Sequence, residues 1–176
     1  MKNSVTNSVK QQIISKGRAK FWFVDDFVAI GNNDSVRKAL QQLIKEQMLL
    51  RICHGVYYYP KIDRELGLGV LMPSKESTAL AVAKHAGQKI VPTGAFALNA
   101  LGLTTQMQIV VAFLTNGRAR QIDLGNGRYI KFFHSSSQRL FEYKSYRMIL
   151  IIQAMTELGE NGMTDDVLSI LKEQLL

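Results

Sequence analysis

The sequence FWFVDDFVAIGNNDSVRKALQQLIKEQMLLRICHGVYYYP, residues 21–60, decides the fold of the first part of the chain. Its aromatic start over 21–24 predicts a strand with Phe21 and Phe23 on one face, and a short helix should follow as far as Ile30. At Gly31 we expect the positive φ of a tight turn between helices. A second helix and a hairpin complete the segment. This order predicts a winged helix-turn-helix, a module that usually holds duplex DNA.

The helix over residues 34–47 has the clearest periodicity in the chain. Apolar residues recur at i, i+3, i+4, i+7 and i+8 and place one side in the core; they are Val36, Ala39, Leu40, Leu43 and Ile44. Asn33 or Asp34 should cap it. The opposite side carries donors for base edges in the major groove, which we predict to be Ser35, Arg37, Lys38, Gln41 and Gln42. The alternative is a solvated face on an ordinary amphipathic helix.

Residues 49–60 predict the wing that follows this helix. Two short strands flank a turn at 53–55, and Pro60 closes the second strand. At least one of the tyrosines at 57–59 should pack on the core, while another can offer its hydroxyl outward. We predict that the cationic groups here contact phosphate or the minor groove; they are Lys45, Arg51, His54 and Lys61. We interpret His54 as a polar turn residue rather than a metal ligand.

The positive charge is concentrated in the same part of the chain. The net charge is +8 over 176 residues. Residues 1–64 hold 11 Lys/Arg and 5 Asp/Glu, a net charge of +6, whereas residues 65–176 hold 11 and 9, a net charge of +2. Binding to a polyanion requires such an excess where the contact is made. The uneven distribution of charge favours binding to nucleic acid, rather than solubility alone, as the reason for the positive excess.

The remainder of the chain predicts a second domain. We expect a DNA-binding domain at 1–62, a linker or crossover at 63–73 and a second domain at 74–176. The apolar run Ile109–Leu114 predicts a central strand covered on both faces, and two further strands should flank the turn at 125–127. Helices are expected after Ser74 or Ser77, after Thr93, from about Tyr143 to Leu158, and from Thr164 to Leu175. The predicted class is α+β, a winged helix-turn-helix followed by a small mixed α/β domain.

The residues do not predict catalysis. No glycine pattern forms a phosphate-binding loop, and His134 beside the serines at 135–137 lacks an orienting carboxylate. Cys53 is the only cysteine, which excludes a cysteine-rich zinc site and fits a reducing compartment. No run approaches the ~18 apolar residues of a membrane span, and the N-terminus lacks the apolar stretch of a secretory signal. We predict a cytoplasmic protein that is not an enzyme, with no cofactor and no metal.

A second group of cations lies on the predicted hairpin of the second domain. We predict either a solvated strand face or a surface that docks an acidic protein or RNA. Its members are Arg118, Arg120, Arg128 and Lys131.

Several separated segments resemble the AbiEi-type antitoxins of type IV toxin–antitoxin operons. They are SVRKALQQL at 35–43, LLRICHGVYYYP at 49–60, GAFALNALGL at 94–103 and VVAFLTNGRARQIDLGNGRYIKF at 110–132. The resemblance covers most of residues 8–145. It implies an N-terminal winged helix that represses its own operon, and a C-terminal domain that counters a nucleotidyltransferase-like toxin.

Three functions remain open at this point. The first is a transcriptional autoregulator and antitoxin that binds its own operator as double-stranded DNA. The second is a protein-interaction module that docks a toxin or another partner without sequence-specific DNA binding. The third is a single-strand RNA binder that stacks bases on Trp22 and the tyrosines, and it ranks last because a core role explains those aromatic residues better.

Overall fold

The computed structural model describes residues 4–106 and 110–174, so the strand start expected at Ile109 and the helix end expected at Leu175 lie outside the described residues. Helices and strands are mixed along the chain, which confirms the α+β class. Their contacts divide the chain into two compact units, of which the first ends at Val82 and the second begins at Ala83. The finer division at 62 and 73 stays a prediction.

Six α-helices lie in the described residues: α1 (Val5–Lys16), α2 (Asn33–Lys45), α3 (Lys75–His85), α4 (Gly94–Ala100), α5 (Tyr146–Leu158) and α6 (Asp165–Glu173). The strands of the same residues are β1 (Lys20–Trp22), β2 (Leu50–Cys53), β3 (Val56–Tyr59), β4 (Lys61–Asp63), β5 (Gly69–Leu71), β6 (Ile90–Pro92), β7 (Val110–Thr115), β8 (Arg120–Asp123) and β9 (Tyr129–His134). Short 3₁₀ turns occupy Val24–Phe27, Gln138–Phe141 and Glu160–Gly162.

The core of the first unit forms where α1, α2 and the 3₁₀ turn Val24–Phe27 pack together. Its fully buried members include Val9, Ile13, Phe27, Val36, Leu40 and Leu43. The Ser4 side chain caps α1 by accepting a hydrogen bond from the Asn7 N–H (3.3 Å), and Gly17 ends the helix with a φ of +82°. The apolar periodicity of α2 thus predicted its buried side correctly.

The turn before α2 differs from the prediction. Gly31 does not adopt a positive φ, because the chain turns there through 3₁₀-type bonds such as Ile30 N–H to Phe27 O (2.9 Å). The cap of α2 is Asn32, whose side chain accepts from the Ser35 N–H at 2.9 Å, and not Asn33 or Asp34. Both predictions are wrong. The cap lies one residue earlier than Asn33, so the start of the helix differs little from the predicted one.

A three-stranded antiparallel sheet completes the first unit, with β3 in the centre of the order β1-β3-β2. Because β3 is central, all three tyrosines of Val56–Tyr59 are buried, which confirms that at least one packs on the core. That another offers its hydroxyl outward stays a prediction. The Phe21 ring packs on the Tyr58 ring, with centroids 4.9 Å apart. Trp22 is also buried and stacks on Phe27 at 5.2 Å, so it offers no surface to a base.

The stretch expected to be a linker contains structure of its own. Strands β4 and β5 form a two-stranded antiparallel hairpin, in which Ile62 pairs with Val70. Its apolar side chains are exposed: Ile62, Leu66, Leu68, Val70 and Met72. Two strands alone rarely form a stable sheet, and this hairpin leaves apolar surface in solvent.

The second unit is built on a four-stranded mixed sheet of order β6-β7-β9-β8. Strands β7 and β9 are parallel, and the other pairs are antiparallel. Strand β7 is central as predicted, but its residues alternate: Val111, Phe113 and Thr115 are buried, whereas the three residues between them are half-buried. The alternation shows that the two faces are not covered equally, so the expected cover on both faces is wrong; Phe96 of α4 lies 5.8 Å from the buried Phe113.

Helices α4 and α5 approach each other closely. Ala97 and Ala154 are fully buried in their contact. A Cβ placed on Gly94 would lie 2.5 Å from Glu157 Cβ and 2.9 Å from the Gln153 carbonyl oxygen. The absence of a side chain at Gly94 is thus what permits this spacing.

The starts of α3, α5 and α6 are set by hydroxyl side chains, whereas the start of α4 is not. Ser74, Ser145 and Thr164 accept hydrogen bonds from the first turns of α3, α5 and α6. Thr93 was expected to do the same for α4, but its hydroxyl donates to the Ala112 carbonyl of β7 instead (3.1 Å).

Candidate nucleic-acid interface

The exposed side of α2 carries most of the residues predicted to bind DNA. Arg37, Lys38, Gln41, Gln42 and Lys45 are all exposed, opposite the four buried residues of the same helix. Ser35 is half-buried in the first turn, where its N–H is bound to the cap. The face therefore offers guanidinium, ammonium and amide donors to a ligand in solvent.

The flank of α2 nearest α1 holds an acidic residue that the sequence reasoning did not consider. Glu46 accepts a hydrogen bond from Gln42 Nε2 (3.2 Å) and one from Lys10 Nζ (3.3 Å). These two bonds lower the pKa of the Glu46 carboxyl below its ordinary value, the one from Gln42 most. The Gln42 amide is thus engaged within the protein, whereas Gln41 is not held in this way. The i, i+4 spacing of Gln42 and Glu46 could have revealed their bond, but Lys10 lies too far away in sequence.

The other flank of α2 faces the β2–β3 hairpin across an open cleft of about 280 Å³. We call this space the helix–hairpin cleft. Four of the predicted DNA-binding residues line it: Arg37, Gln41, Arg51 and His54. Its remaining lining is mostly apolar and was not foreseen: Val24, Ile44, Gly55 and Tyr57. The sequence suggested the polar members only, because their chemistry is that of a phosphate or base contact.

The cations of the helix–hairpin cleft are only loosely held by the protein. Arg37 Nη1 lies 3.8 Å from Asp34 Oδ1, and both side chains are more than half exposed. Such a pair contributes little, on the order of 0–1 kcal/mol. Arg51 Nη2 lies 3.4 Å from His54 Nδ1 across the turn of the hairpin. Both guanidinium groups therefore retain donors for an anion.

Lys38, Lys45 and Lys61 do not line the helix–hairpin cleft. Lys38 and Lys45 lie on the open face of α2, and Lys61 begins β4 after the hairpin. All three are exposed. These three lysines are therefore separate from the pocket that Arg37 and Arg51 line.

The second group of predicted cations is not a single surface. Arg120 Nη2 donates to Gln88 Oε1 (3.1 Å), and its guanidinium carbon lies 5.2 Å from the centre of the buried Phe132 ring. Lys131 precedes Phe132 in β9 and so points to the opposite face of the sheet. Arg128 follows the turn at the far end of β8, where its Nε donates to the Gly125 carbonyl (3.5 Å). Arg118 is exposed near the other end, and docking by these four residues stays a prediction.

Metal binding, catalysis at His134 and membrane insertion are three alternatives to nucleic-acid binding. Within residues 4–106 and 110–174, no three His, Cys, Asp or Glu side chains gather into a group that could hold a metal ion. His134 Nδ1 lies 2.8 Å from the Gly117 carbonyl oxygen, which fixes the imidazole against a loop. None of the helices in these residues is both long enough and apolar enough to span a bilayer.

Comparison with known proteins identifies a family. No curated protein and no solved structure matches the chain. The model of the family described as "Family of unknown function (DUF6088)" matches residues 8–175, nearly the whole sequence. The chain therefore belongs to the DUF6088 family.

Proposed function

We propose that the first unit is a winged helix-turn-helix that binds duplex DNA, and that the protein is a transcriptional autoregulator of its own operon. In this proposal α2 enters the major groove, and the β2–β3 hairpin is the wing beside it. The observation that carries the proposal is the exposed polar side of α2, which is continuous with the cationic helix–hairpin cleft.

The order of elements supports the same proposal. A helix, a short strand, a 3₁₀ turn, a second helix and a hairpin follow one another, and β1 pairs with the returning strand of the hairpin. This arrangement fixes the hairpin next to α2, so that both would meet one stretch of duplex. The net charge of +6 on residues 1–64 supplies the electrostatic attraction that such binding needs.

The exposed residues divide into two roles in this proposal. Gln41 is the better base reader of the two glutamines, because the Gln42 amide already donates to Glu46. Lys45 is exposed on the same helix and would bind backbone phosphate. Arg37 and Lys38 would contact bases or phosphate on either side of Gln41.

The antitoxin part of the proposal rests on the resemblance to the AbiEi-type antitoxins. The second unit would then counter a nucleotidyltransferase-like toxin encoded beside this protein. A neighbouring gene for such a toxin would support this part of the proposal independently of any DNA binding.

The test is DNA binding by the full chain on its own promoter and on random duplex, measured by fluorescence anisotropy over 50–200 mM salt. Gln41→Ala should lower the ratio of specific to random affinity about fivefold or more, since one good base contact discriminates by ≈ 1–3 kcal/mol. Lys45→Ala should weaken both duplexes and reduce the salt slope by about 0.9. Between the two salt concentrations the slope change corresponds to roughly a 3–4-fold difference.

The matched control is Lys172→Ala, which removes an exposed lysine from α6 in the second unit. It should leave both the affinity and the salt slope unchanged. The proposal fails if the wild-type chain does not bind its promoter better than random duplex, or if Lys172→Ala acts like Lys45→Ala.

A protein-interaction module is the second candidate, and one observation favours it. The β4–β5 hairpin exposes five apolar side chains close together in sequence, and exposed apolar surface often marks a docking site for another protein. This function predicts co-purification with the product of the neighbouring gene and no salt-sensitive shift of duplex. Loss of co-purification in Leu68→Ser, with Ile14→Ser on α1 as control for an exposed apolar residue elsewhere, would support it.

A further inference from the structure

The helix–hairpin cleft combines two features that an open DNA-binding face does not require together. Two guanidinium groups reach it from different elements, Arg37 from α2 and Arg51 from β2. Apolar side chains line it as well, and Val24 and Ile44 belong to the partly buried layer against the core. The lining of the cleft thus combines two cationic side chains with apolar ones.

The charge of the cleft favours an anion. None of its eight lining residues is acidic. The nearest carboxylate on α2, Asp34, lies 3.8 Å from Arg37 in an exposed pair, which leaves most of the guanidinium donors open. Guanidinium groups bind phosphate through two parallel hydrogen bonds, so two of them can hold one phosphate from both sides.

The size of the cleft limits the ligand. About 280 Å³ is at the small end of ligand sites, which range over roughly 300–1,000 Å³. A single nucleotide, with one phosphate, one sugar and one base, fits this space better than a longer molecule. Tyr57 lines the cleft as well, with 6% of the residue exposed.

We propose that the helix–hairpin cleft binds one nucleotide unit, with its phosphate between Arg37 and Arg51 and its sugar or base against Val24, Ile44 and Tyr57. The unit is either part of the duplex or a free mononucleotide that competes with the duplex. This inference rests on the proposed function for the duplex source, whereas binding of a free mononucleotide requires no DNA binding. In the second case the cleft would let a small phosphorylated ligand release the protein from its operator.

The experiment titrates the full chain with adenosine monophosphate by isothermal calorimetry, at constant ionic strength, with adenosine and inorganic phosphate as partial ligands. Arg37→Gln and Arg51→Gln should each weaken binding of the mononucleotide about tenfold, the loss of one charge-assisted hydrogen bond. Arg64→Gln is the matched control, because it removes an exposed arginine from the same unit outside the cleft. It should change binding less than about twofold, since exposed charges at a distance are screened. Circular dichroism confirms that each variant is folded.

The same variants are then tested on promoter DNA with and without the mononucleotide. The free-ligand source is supported if mononucleotide binding depends on Arg37 and Arg51 and displaces DNA. If the protein binds the mononucleotide in this way but does not bind DNA, the inference is supported and the proposed function fails. No mononucleotide binding, but a loss of DNA affinity of about tenfold in both variants and not in Arg64→Gln, supports the duplex source. The inference is overturned if neither ligand depends on Arg37 and Arg51, or if Arg64→Gln weakens binding equally. Promoter binding that persists in these variants then leaves the proposed function standing.

Discussion

Arg120 tests whether the cations of the second unit serve a partner or the fold. Its guanidinium donates to Gln88 Oε1 and lies over the ring of Phe132, which is 2% exposed. Replacement by alanine removes this bond and uncovers the ring. If the residue acts in the fold, Arg120→Ala lowers the free energy of unfolding even in the absence of any partner.

The expected magnitude follows from three contributions. A hydrogen bond from a charged donor contributes about 1.5–3 kcal/mol, and a guanidinium over an aromatic ring contributes about 0.5–1 kcal/mol. Arg120 Nε is buried without a hydrogen-bond partner among the described residues. Because an unsatisfied buried donor destabilises the fold, its removal offsets the loss by about 1–3 kcal/mol. At the central values of these ranges the net loss is about 1 kcal/mol, or roughly 4–8 °C in the melting temperature of a unit that runs from Ala83 to Leu176.

The assay is thermal and urea unfolding of the full chain followed by far-ultraviolet circular dichroism. Arg118→Ala is the control, because it removes the same side chain two residues away at an exposed position. Surface changes of this kind stay within about 0.5 kcal/mol. Equal unfolding curves for the two variants would refute the reasoning and return Arg120 to the group of docking candidates.

Two further perturbations test the packing of each unit. Gly94→Ala should destabilise by about 1–3 kcal/mol, because a Cβ meets Glu157 Cβ and the Gln153 carbonyl; Gly31→Ala, where a Cβ makes only ordinary contacts at 3.5 Å, should be neutral or stabilise by up to ~1 kcal/mol in the same urea experiment. The lowered pKa of Glu46 means that its ionised form stabilises the fold above the ordinary value of 4.5, and that this contribution is lost as the pH falls through the lower folded value. Glu46→Gln should therefore lower the urea midpoint at pH 7, and this effect should shrink as the pH falls below 4.5.

Helix α2 could be predicted well because its pattern is local and strong. The burial of Val36, Ala39, Leu40 and Leu43 follows from their spacing alone. The hairpin after it was also readable, since two strands and a Gly turn lie within twelve residues. The meeting of Arg37 and Arg51 at one cleft follows from these two local elements, which the short chain between them keeps together.

The aromatic segment before α2 could not be read in the same way. Three aromatic residues stand in a row at 21–23, so alternation does not say which of them faces the core. Pairing decides it: β1 lies against β3, and Trp22 stacks on Phe27. The prediction that grouped Phe21 with Phe23 missed this contact because it depends on residues outside the segment.

The arrangement of the second group of cations could not be predicted from the sequence for a related reason. Whether Arg120 and Lys131 share a face depends on the register of β8 against β9, in which Arg120 pairs with Phe132. A shift by one residue would have placed both on the same side. The long reach from Arg120 to Gln88 is likewise a property of the folded sheet, since 32 residues separate them in sequence.

The lysines of α2 give a further argument for where a polyanion binds. In the second unit Lys89 donates to the Phe141 carbonyl, Arg147 to the Gln174 carbonyl and Arg120 to Gln88. On α2, Lys38 and Lys45 make neither a hydrogen bond nor an ion pair within residues 4–106 and 110–174. A donor already bound to the protein gains little from a phosphate, whereas an exposed ammonium exchanges only water and counterions for it. Protein groups also bind cations of the first unit, such as Lys10 at Glu46 and Arg18 at the Pro60 carbonyl. What distinguishes α2 is that two exposed ammonium groups without such a partner among the described residues lie on one helix face, and this placement supports the proposal that α2 contacts DNA.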